Sequence, residues 1–179
     1  MKPAHMSDEQ YALFFDVRRS LRYHDRRRAF FETLHRLTGA LTVLLAGAVL
    51  FDIARPGDNP AWLLALAAIA AVLSAFDLVA GYSSRANRHA DLKRRFVALE
   101  SAILAADTAD ATWQSLAAER LAIEADEPPI YRALDVLCHN ELARAEGIFD
   151  TYDVPAWAAL TAHLFHWPDI AAHIKKQAA

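Results

Sequence analysis

Residues 37–82 constrain the fold most, because they are almost free of charge. Their charged side chains are Asp52, Arg55, Asp58 and Asp77. Two apolar stretches lie within this segment, at 37–53 and 61–82. A hydrocarbon core about 30 Å thick needs about 20 helical residues. The second stretch reaches that length, and the first does so if its helix begins near Leu34 with basic neighbours reaching the headgroups. The sequence therefore predicts two transmembrane helices.

The connection between the two stretches, residues 54–60, reads Ala-Arg-Pro-Gly-Asp-Asn-Pro. It is rich in turn formers and too short for a domain, so it predicts an antiparallel helical hairpin. Lys and Arg concentrate on the cytoplasmic side of a membrane. Twelve lie in the flanking segments, and only Arg55 lies in the turn. We therefore expect a multi-pass membrane protein, with both termini cytoplasmic and the turn outside.

Basic side chains crowd both ends of the hairpin. The set expected at the membrane surface is Arg26, Arg27, Arg28, Arg36, Arg85, Arg88, Arg94 and Arg95. Each basic side chain near an anionic leaflet contributes about 1 kcal/mol of attraction, so a bilayer with anionic lipids is the expected partner and nucleic acid is not. Residues 107–179 instead hold twelve acidic and five basic side chains. This acidic tail is expected to pack against the basic helices.

Two other interpretations of the apolar stretches stay open. Arg26-Arg27-Arg28 before an apolar run is similar to a twin-arginine export signal, with Ala46-Gly47-Ala48 as the cleavage site. An export signal leaves the second stretch and its basic exit unexplained. A soluble bundle around a buried Ala-rich hairpin fits the mean hydropathy of +0.09. However, a helix that is apolar on every face over this length is hard to bury in so small a domain.

Helical periodicity continues on both sides of the hairpin. Leu92, Phe96, Leu99 and Ile103 are spaced four, three and four apart, as in a narrow coiled-coil seam. We expect the helices that leave the bilayer to pack together, and the seam to extend contacts between chains. The expected organisation is a basic amphipathic helix at 1–36, the hairpin at 37–82 with its external turn at 54–60, an extension of the second helix at 83–106 and an acidic helical region at 107–179.

Helix-breaking residues divide the acidic region. Residues 111–125 have a helical pattern. Glu127-Pro128-Pro129 is expected to open the next helix, because Pro is favoured in a first turn, and Gly147 is expected to cap its end. Pro155 and Pro168 are expected to begin two short helices that cannot span a bilayer. The whole chain is therefore expected to be all-α.

Asp77 is an acid inside the second span, which is costly and makes it a candidate functional residue. In an antiparallel hairpin its depth faces Thr38 and Thr42, with His35 and Arg36 one turn lower. One interpretation is a hydrogen bond or ion pair within the hairpin, and the other is a carboxylate ring that favours cations in a pore built by several chains. The intramembrane polar residues assigned to this pore are Asp77, Thr38, Thr42 and Asp52.

The single cysteine, Cys138, excludes an intrachain disulfide and a Cys-based zinc cluster. It falls on the apolar face of its helix, so we expect a buried small hydrophobe. His139 and Glu141 beside it match no metal-binding or nucleophile motif, and the sequence has no Gly-rich phosphate loop. We therefore expect no cofactor, no metal and no enzymatic activity.

Several motifs follow one another in a characteristic order. They are Arg27-Arg28-Ala29-Phe30-Phe31-Glu32, Leu73-Ser-Ala-Phe-Asp77-Leu78, Arg88-His89-Ala90-Asp91-Leu92, Arg95-Phe96, Leu99-Glu100, Glu124-Ala-Asp-Glu127-Pro-Pro-Ile-Tyr131-Arg-Ala-Leu-Asp135 and Cys138-His-Asn-Glu141. On these motifs, over about residues 25–147, the chain resembles the SLATT-type family, two-transmembrane effectors of bacterial nucleotide-second-messenger conflict systems. The cytoplasmic residues that the resemblance singles out are His89, Asp91, Glu127, Pro128, Pro129, Asp135, His139, Asn140 and Glu141.

The resemblance implies an effector of the bacterial inner (cytoplasmic) membrane that assembles and permeabilises the membrane, killing or arresting an infected cell. We expect a closed ring of four to six chains, because one hairpin cannot enclose a pore and the Ala and Gly residues of the spans let helices approach closely. We expect a stand-alone form without a fused nucleotide-synthesising or nucleotide-sensing domain, whose nucleotide ligand or sensor protein is undefined. The alternative is a membrane-anchored enzyme or binding module that uses the region after residue 107.

Overall fold

The computed structural model describes residues 6–53, 61–106, 110–148, 151–167, 170 and 175–176. Helix accounts for 82% of them, which confirms the all-α fold class. The helices are α1 (Asp8–Ile53), α2 (Ala61–Ala80), α3 (Tyr82–Ala105), α4 (Asp110–Glu124), α5 (Arg132–Ala145) and α6 (Ala156–Leu160). Two short strands, β1 (Tyr152–Asp153) and β2 (Lys175–Lys176), pair antiparallel with Tyr152 opposite Lys176. The sequence had not predicted this pairing.

The first helix begins at a capping box and continues without a break into the first apolar stretch. Ser7 N–H donates to Gln10 Oε1 at 2.9 Å, and Gln10 N–H donates to Ser7 Oγ at 3.2 Å. Asp8 and Glu9 place negative charge in the first turn, where the helix dipole favours it. With no proline after this start, α1 runs for 46 residues. The basic helix and the first span expected from the sequence are one element.

The second apolar stretch ends at a glycine rather than running on as one helix to residue 106. Gly81 has a φ of 61°, which separates α2 from α3. Hydrogen bonds of the helical i to i−4 type continue on both sides of it: Gly81 N–H donates to the Asp77 carbonyl, and Arg85 N–H donates to the Gly81 carbonyl, both at 2.9 Å. A residue with a Cβ would be strained at this φ. The extension of the second helix therefore begins at Tyr82, after a one-residue interruption.

The sequence prediction for the start of α5 is wrong. Glu127-Pro128-Pro129 does not form the first turn, because α5 begins at Arg132 with Tyr131 as its N-cap. A residue before proline is pushed toward extended backbone, so two consecutive prolines keep the preceding residues out of the helix. The end of α5 is as predicted: Gly147 has a φ of 72°, and Ile148 N–H donates to the Ala143 carbonyl at 2.8 Å, as in a Schellman motif.

The predicted helix at 111–125 is confirmed as α4, and Pro155 is the N-cap of α6 as expected. The second short helix was expected to begin at Pro168, which lies outside the described residues.

The chain divides into two compact units. Unit 1 comprises Met1–Arg27 and His89–Ala179, and unit 2 comprises Arg28–Arg88. The main core of unit 1 contains Phe14 and Val17 from α1 together with Leu92, Phe96, Leu99, Ile103, Trp113, Leu116 and Ile123. Packing between α1 and α3 is as the sequence predicted.

The predicted use of the seam between chains is wrong. Its four residues, Leu92, Phe96, Leu99 and Ile103, are at most 2% exposed, because α1 and α4 of the same chain cover them. A side chain that is already buried within its own chain has no apolar surface left to offer a second copy.

A second core of unit 1 lies around α5 and α6. It contains Tyr23, Ala133, Leu134, Cys138, Ala158, Ala162 and Ile170. Cys138 is 0% exposed, which confirms the prediction of a buried small hydrophobe. Burial raises the pKa of its thiol to about 12, so the thiol does not ionise near neutral pH.

Unit 2 contains most of the two helices' apolar length, and most of its large apolar side chains face outward. Leu44, Val72 and Val79 are 69%, 67% and 86% exposed. Buried residues on α2 include Leu63 and Ala70, at 5% and 7%. In the most apolar 18-residue stretch of each helix, no residue of the first and 11% of the second is buried. The chain thus holds two helices that are long and apolar enough to cross a membrane.

Candidate functional site

Asp77 contacts the first helix of the hairpin through His35. Its Oδ2 lies 2.9 Å from His35 Nδ1, a distance at which the ring nitrogen donates to the carboxylate. The other oxygen, Oδ1, is buried and has no hydrogen-bond partner among the described residues. The expected contact within the hairpin is therefore confirmed, and the buried Oδ1 is left without a donor among the described residues.

The other polar residues predicted near Asp77 bind elsewhere. The Thr38 hydroxyl donates to the backbone carbonyls of Leu34 and His35, both at 3.0 Å. A helical threonine reaches these carbonyls of its own preceding turn easily. Arg36 Nη2 lies 3.6 Å from Glu32 Oε2, one turn earlier.

Thr42 is half-buried. Asp52 belongs to the last turn of α1, but its side chain lies outside the part of the chain that the structure describes.

In unit 1, acidic side chains of α5 and the turn after it bind arginines of α1, as expected for the acidic tail. The pairs are Arg18 with Glu146, Arg19 with Asp135 and Arg26 with Glu141. Arg95 Nη1 also lies 2.6 Å from Asp126 Oδ2. Arg26–Glu141 and Arg95–Asp126 are exposed pairs, and such pairs contribute at most about 1 kcal/mol each. The three pairs with arginines of α1 fix which face of α5 lies on α1.

Arg27 differs from the other arginines expected at the membrane surface, because it is only 4% exposed. Its Nη1 donates to the His163 carbonyl at 2.7 Å, and its guanidinium lies over the Tyr131 ring, 4.3 Å from the centroid. These contacts remove the guanidinium from water and hold it in the interior of unit 1. Assigning Arg27 to a lipid-facing surface was therefore wrong.

The remaining basic residues of the predicted set have local partners. Arg28 and Glu32 lie 3.9 Å apart, Arg94 lies 3.0 Å from Asp91, and the Arg85 guanidinium is 5.8 Å from the Phe31 ring centroid. Arg36 and Arg94 are 80% and 75% exposed, so their charges remain accessible to an anionic surface.

The polar centre of unit 1 is a buried chain of three side chains. His24 Nδ1 lies 2.9 Å from His89 Nδ1, and His24 Nε2 lies 2.9 Å from Glu127 Oε1. His24 and His89 are 0% and 4% exposed. One consistent proton arrangement has His89 donating to His24, and His24 donating to Glu127. These hydrogen bonds link α1, α3 and the segment at Pro128-Pro129, because buried polar side chains need hydrogen-bond partners.

The sequence pointed to two of these three residues. His89 and Glu127 belong to the predicted cytoplasmic motif, and the structure brings them together through His24, which sequence reasoning missed. His24 lies within the run of basic residues on α1, and nothing in its spacing distinguishes it. Only its buried position in the structure distinguishes His24. Its ring stacks on Phe96, with centroids 5.5 Å apart and an interplanar angle of 16°.

The other motif residues lie apart from the hydrogen-bonded side chains of His24, His89 and Glu127. Asn140 donates to the Tyr152 carbonyl at 2.6 Å and accepts from the Tyr152 N–H at 2.8 Å, which holds the start of β1. His139 packs edge-on against Phe15 and Tyr152. Asn140 and Glu141 line an open cleft of about 380 Å³ together with Arg26 and Arg144. Within the described residues, no group of three or more His, Cys, Asp or Glu side chains could hold a metal ion.

Comparisons of the chain with protein-family models, with curated proteins and with solved structures found no match.

Proposed function

We propose that the protein is an oligomeric two-transmembrane effector that forms a pore or channel and permeabilises the bacterial inner membrane in an anti-phage or conflict response. The observation that carries the proposal is the outward-facing apolar surface of the hairpin, from Leu44 on α1 to Val79 on α2. A core helix of a soluble bundle buries such side chains against its own chain. Here they face outward, as lipid-facing side chains do, and large exposed apolar surfaces mark membrane or protein contacts.

Asp77 supports a conducting function within that hairpin. An acid in a span is costly, by about 2.5–3.5 kcal/mol at the helix centre and less near an interface. His35 binds one of its oxygens and leaves Oδ1 without a partner among the described residues. Water entering a conducting path, or a donor on another chain, would give this buried oxygen the partner that it lacks. In a ring, it would favour cations.

A ring of four to six chains would enclose a pore, which one hairpin cannot do. Small residues recur along both spans, at Gly39, Ala46, Ala65, Ala68, Ala71 and Ala75. They let helices approach closely in lipid, where van der Waals packing drives association. With the seam of α3 already buried in its own chain, the contacts between copies are assigned to the spans. Both termini are placed in the cytoplasm, on the charge asymmetry of the flanks.

A second candidate function rests on the cleft beside α5. Arg26, Asn140, Glu141 and Arg144 line it, and it is large enough for a small ligand. This favours a membrane-anchored binding module or enzyme that uses the region after residue 107. Against it, Arg26 and Glu141 already pair across the cleft at 2.6 Å, and Asn140 is occupied by Tyr152.

Ion flux through proteoliposomes tests the proposed function. The purified full chain should release entrapped K⁺. The Asp77→Asn variant keeps the shape of the side chain and removes its charge, so it should assemble to the same mass in nanodiscs and lose cation preference. Glu119→Gln removes an exposed carboxyl on α4 and should leave flux and selectivity unchanged.

Three outcomes distinguish the alternatives. Monomers at every concentration without flux would contradict both the ring and the channel. Loss of assembly in Asp77→Asn would mean that the acid pairs helices and lines no pore. Overexpression toxicity that is unchanged by Asp77→Asn but abolished by His139→Ala, at equal protein level and oligomeric state, would favour the anchored enzyme.

A further inference from the structure

Residues 156–167 have two apolar faces. The inner face packs Ala158 and Ala162, at 0% and 1% exposure, into the second core of unit 1. The outer face is formed by large side chains: Trp157, Leu160, Leu164 and Phe165 are 46%, 85%, 57% and 53% exposed. Turn hydrogen bonds continue the helical winding past α6, as in Thr161 N–H to the Trp157 carbonyl at 3.1 Å. The spacing of 157, 160 and 164 therefore keeps these side chains on one side.

The outer face is held in place by its own contacts. The Trp167 ring packs edge-on against Trp157, with centroids 4.9 Å apart, and lies 5.4 Å from Phe165. Its indole N–H donates to Thr161 Oγ1 at 3.2 Å. Three aromatic rings are thus preorganised next to the two exposed leucines, and a partner that covers them need not order them first.

This face is tied to the turn of α1 at which that helix leaves unit 1. Arg27, the last α1 residue of unit 1, donates to the His163 carbonyl. The Tyr131 ring, on which Arg27 lies, contacts His166 with centroids 5.6 Å apart, and the Tyr131 N–H donates to the Tyr23 hydroxyl at 3.0 Å. Ten residues after Arg27, the same helix enters the first apolar stretch at Leu37.

The charge of the segment is also distinctive. Residues 107–179 carry twelve acidic side chains, and none of them lies in 156–167. The segment carries no Lys or Arg either, and its polar groups are Thr161, His163 and His166. An anionic bilayer therefore does not repel it. Trp and other amphipathic rings are enriched at the level of the lipid headgroups.

We propose that residues 156–167 form an interfacial element that inserts Trp157, Leu160, Leu164 and Phe165 into the surface of the bilayer crossed by the hairpin. The element docks the end of unit 1 at Arg27 onto the lipid, with its apolar side chains at the boundary of headgroups and acyl chains. The inference rests on the proposed membrane association and adds a third membrane contact outside the two spans.

Spin-label accessibility tests this contact. Single cysteines replace Leu160 or Leu164 in a Cys138→Ala background, with Leu121→Cys as the matched control. Leu121 lies on α4 of the same unit and is 61% exposed, similar to Leu164. Val72→Cys reports the second span. The full chain is reconstituted in vesicles of phosphatidylethanolamine and phosphatidylglycerol at a ratio of about 7:3, an anionic composition of the kind that attracts basic flanks.

We expect collisions with a water-soluble nickel reagent to fall several-fold at positions 160 and 164 relative to position 121, while collisions with oxygen rise. Position 72 should be shielded from nickel more strongly still. If 160 and 164 match 121 while 72 is shielded, the interfacial element is wrong and the membrane hairpin stands. If 72 is also accessible to nickel, the proposed membrane association fails.

Contact with protein gives a different result. Labels at 160 and 164 that are shielded from both nickel and oxygen would mean that a protein surface covers the face. Dipolar broadening between labels would identify that surface as a second copy. Either outcome overturns the lipid contact.

Discussion

Replacing Phe96 with alanine is expected to lower the free energy of unfolding of unit 1 by about 3–5 kcal/mol. Phe96 is 0% exposed, lies among the buried residues of α1, α3 and α4, and stacks on His24. The substitution removes buried apolar surface and leaves a cavity. It also removes the ring that stacks on His24, which hydrogen-bonds to His89 and Glu127. Urea unfolding of detergent-solubilised protein measures the loss, followed by the fluorescence of its four tryptophans, which include buried Trp113 of the same core.

Leu104→Ala on the same helix is the control, because Leu104 is 56% exposed. Surface substitutions away from special contacts stay within about 0.5 kcal/mol. Equal losses for the two variants would contradict the assignment of the α3 seam to the core of its own chain.

Replacing Val72 with arginine is expected to prevent insertion of the second span. Val72 lies near the middle of α2 and is 67% exposed. A charge at the bilayer centre costs about 2.5–3.5 kcal/mol on insertion scales, which is on the order of a hundredfold in the insertion equilibrium. A glycosylation acceptor site appended after Ala179 measures the effect in microsomes, because it becomes modified only where the second span fails to insert.

Val97→Arg places the same charge on α3 in unit 1, at a side chain that is 44% exposed. It should leave the appended site unmodified, as in the wild type. An unmodified site in Val72→Arg would mean that α2 does not lie in the bilayer at that position.

Much of the architecture follows from local patterns of the sequence. The apolar stretches, the helix at 111–125 and the cap at Gly147 depend on hydropathy, periodicity and single-residue backbone preferences, which act within a few residues. The pairing of the acidic tail with arginines of α1 follows from the separation of charge along the chain. The contact of Asp77 with the first span follows from the depth of the acid in an antiparallel hairpin.

Features that depend on tertiary packing could not be predicted in this way. The apolar seam of α3 has the same spacing whether another chain or its own α1 and α4 cover it. His24 is one basic residue among several until Phe96 and His89 enclose it. Arg27 resembles its exposed neighbours in sequence, and only its contacts with Tyr131 and His163 bury it.

In the topology that we propose, the chain crosses the bacterial inner membrane twice as a hairpin with both ends in the cytoplasm. Reporter fusions at residues 30, 58 and 179 measure this directly, using alkaline phosphatase for periplasmic exposure and a fluorescent protein for cytoplasmic exposure. The fusions at 30 and 179 should be active only as cytoplasmic reporters, and the fusion at 58 only as a periplasmic one. A fusion at 179 that is active only in the periplasm would contradict the hairpin and favour an export signal.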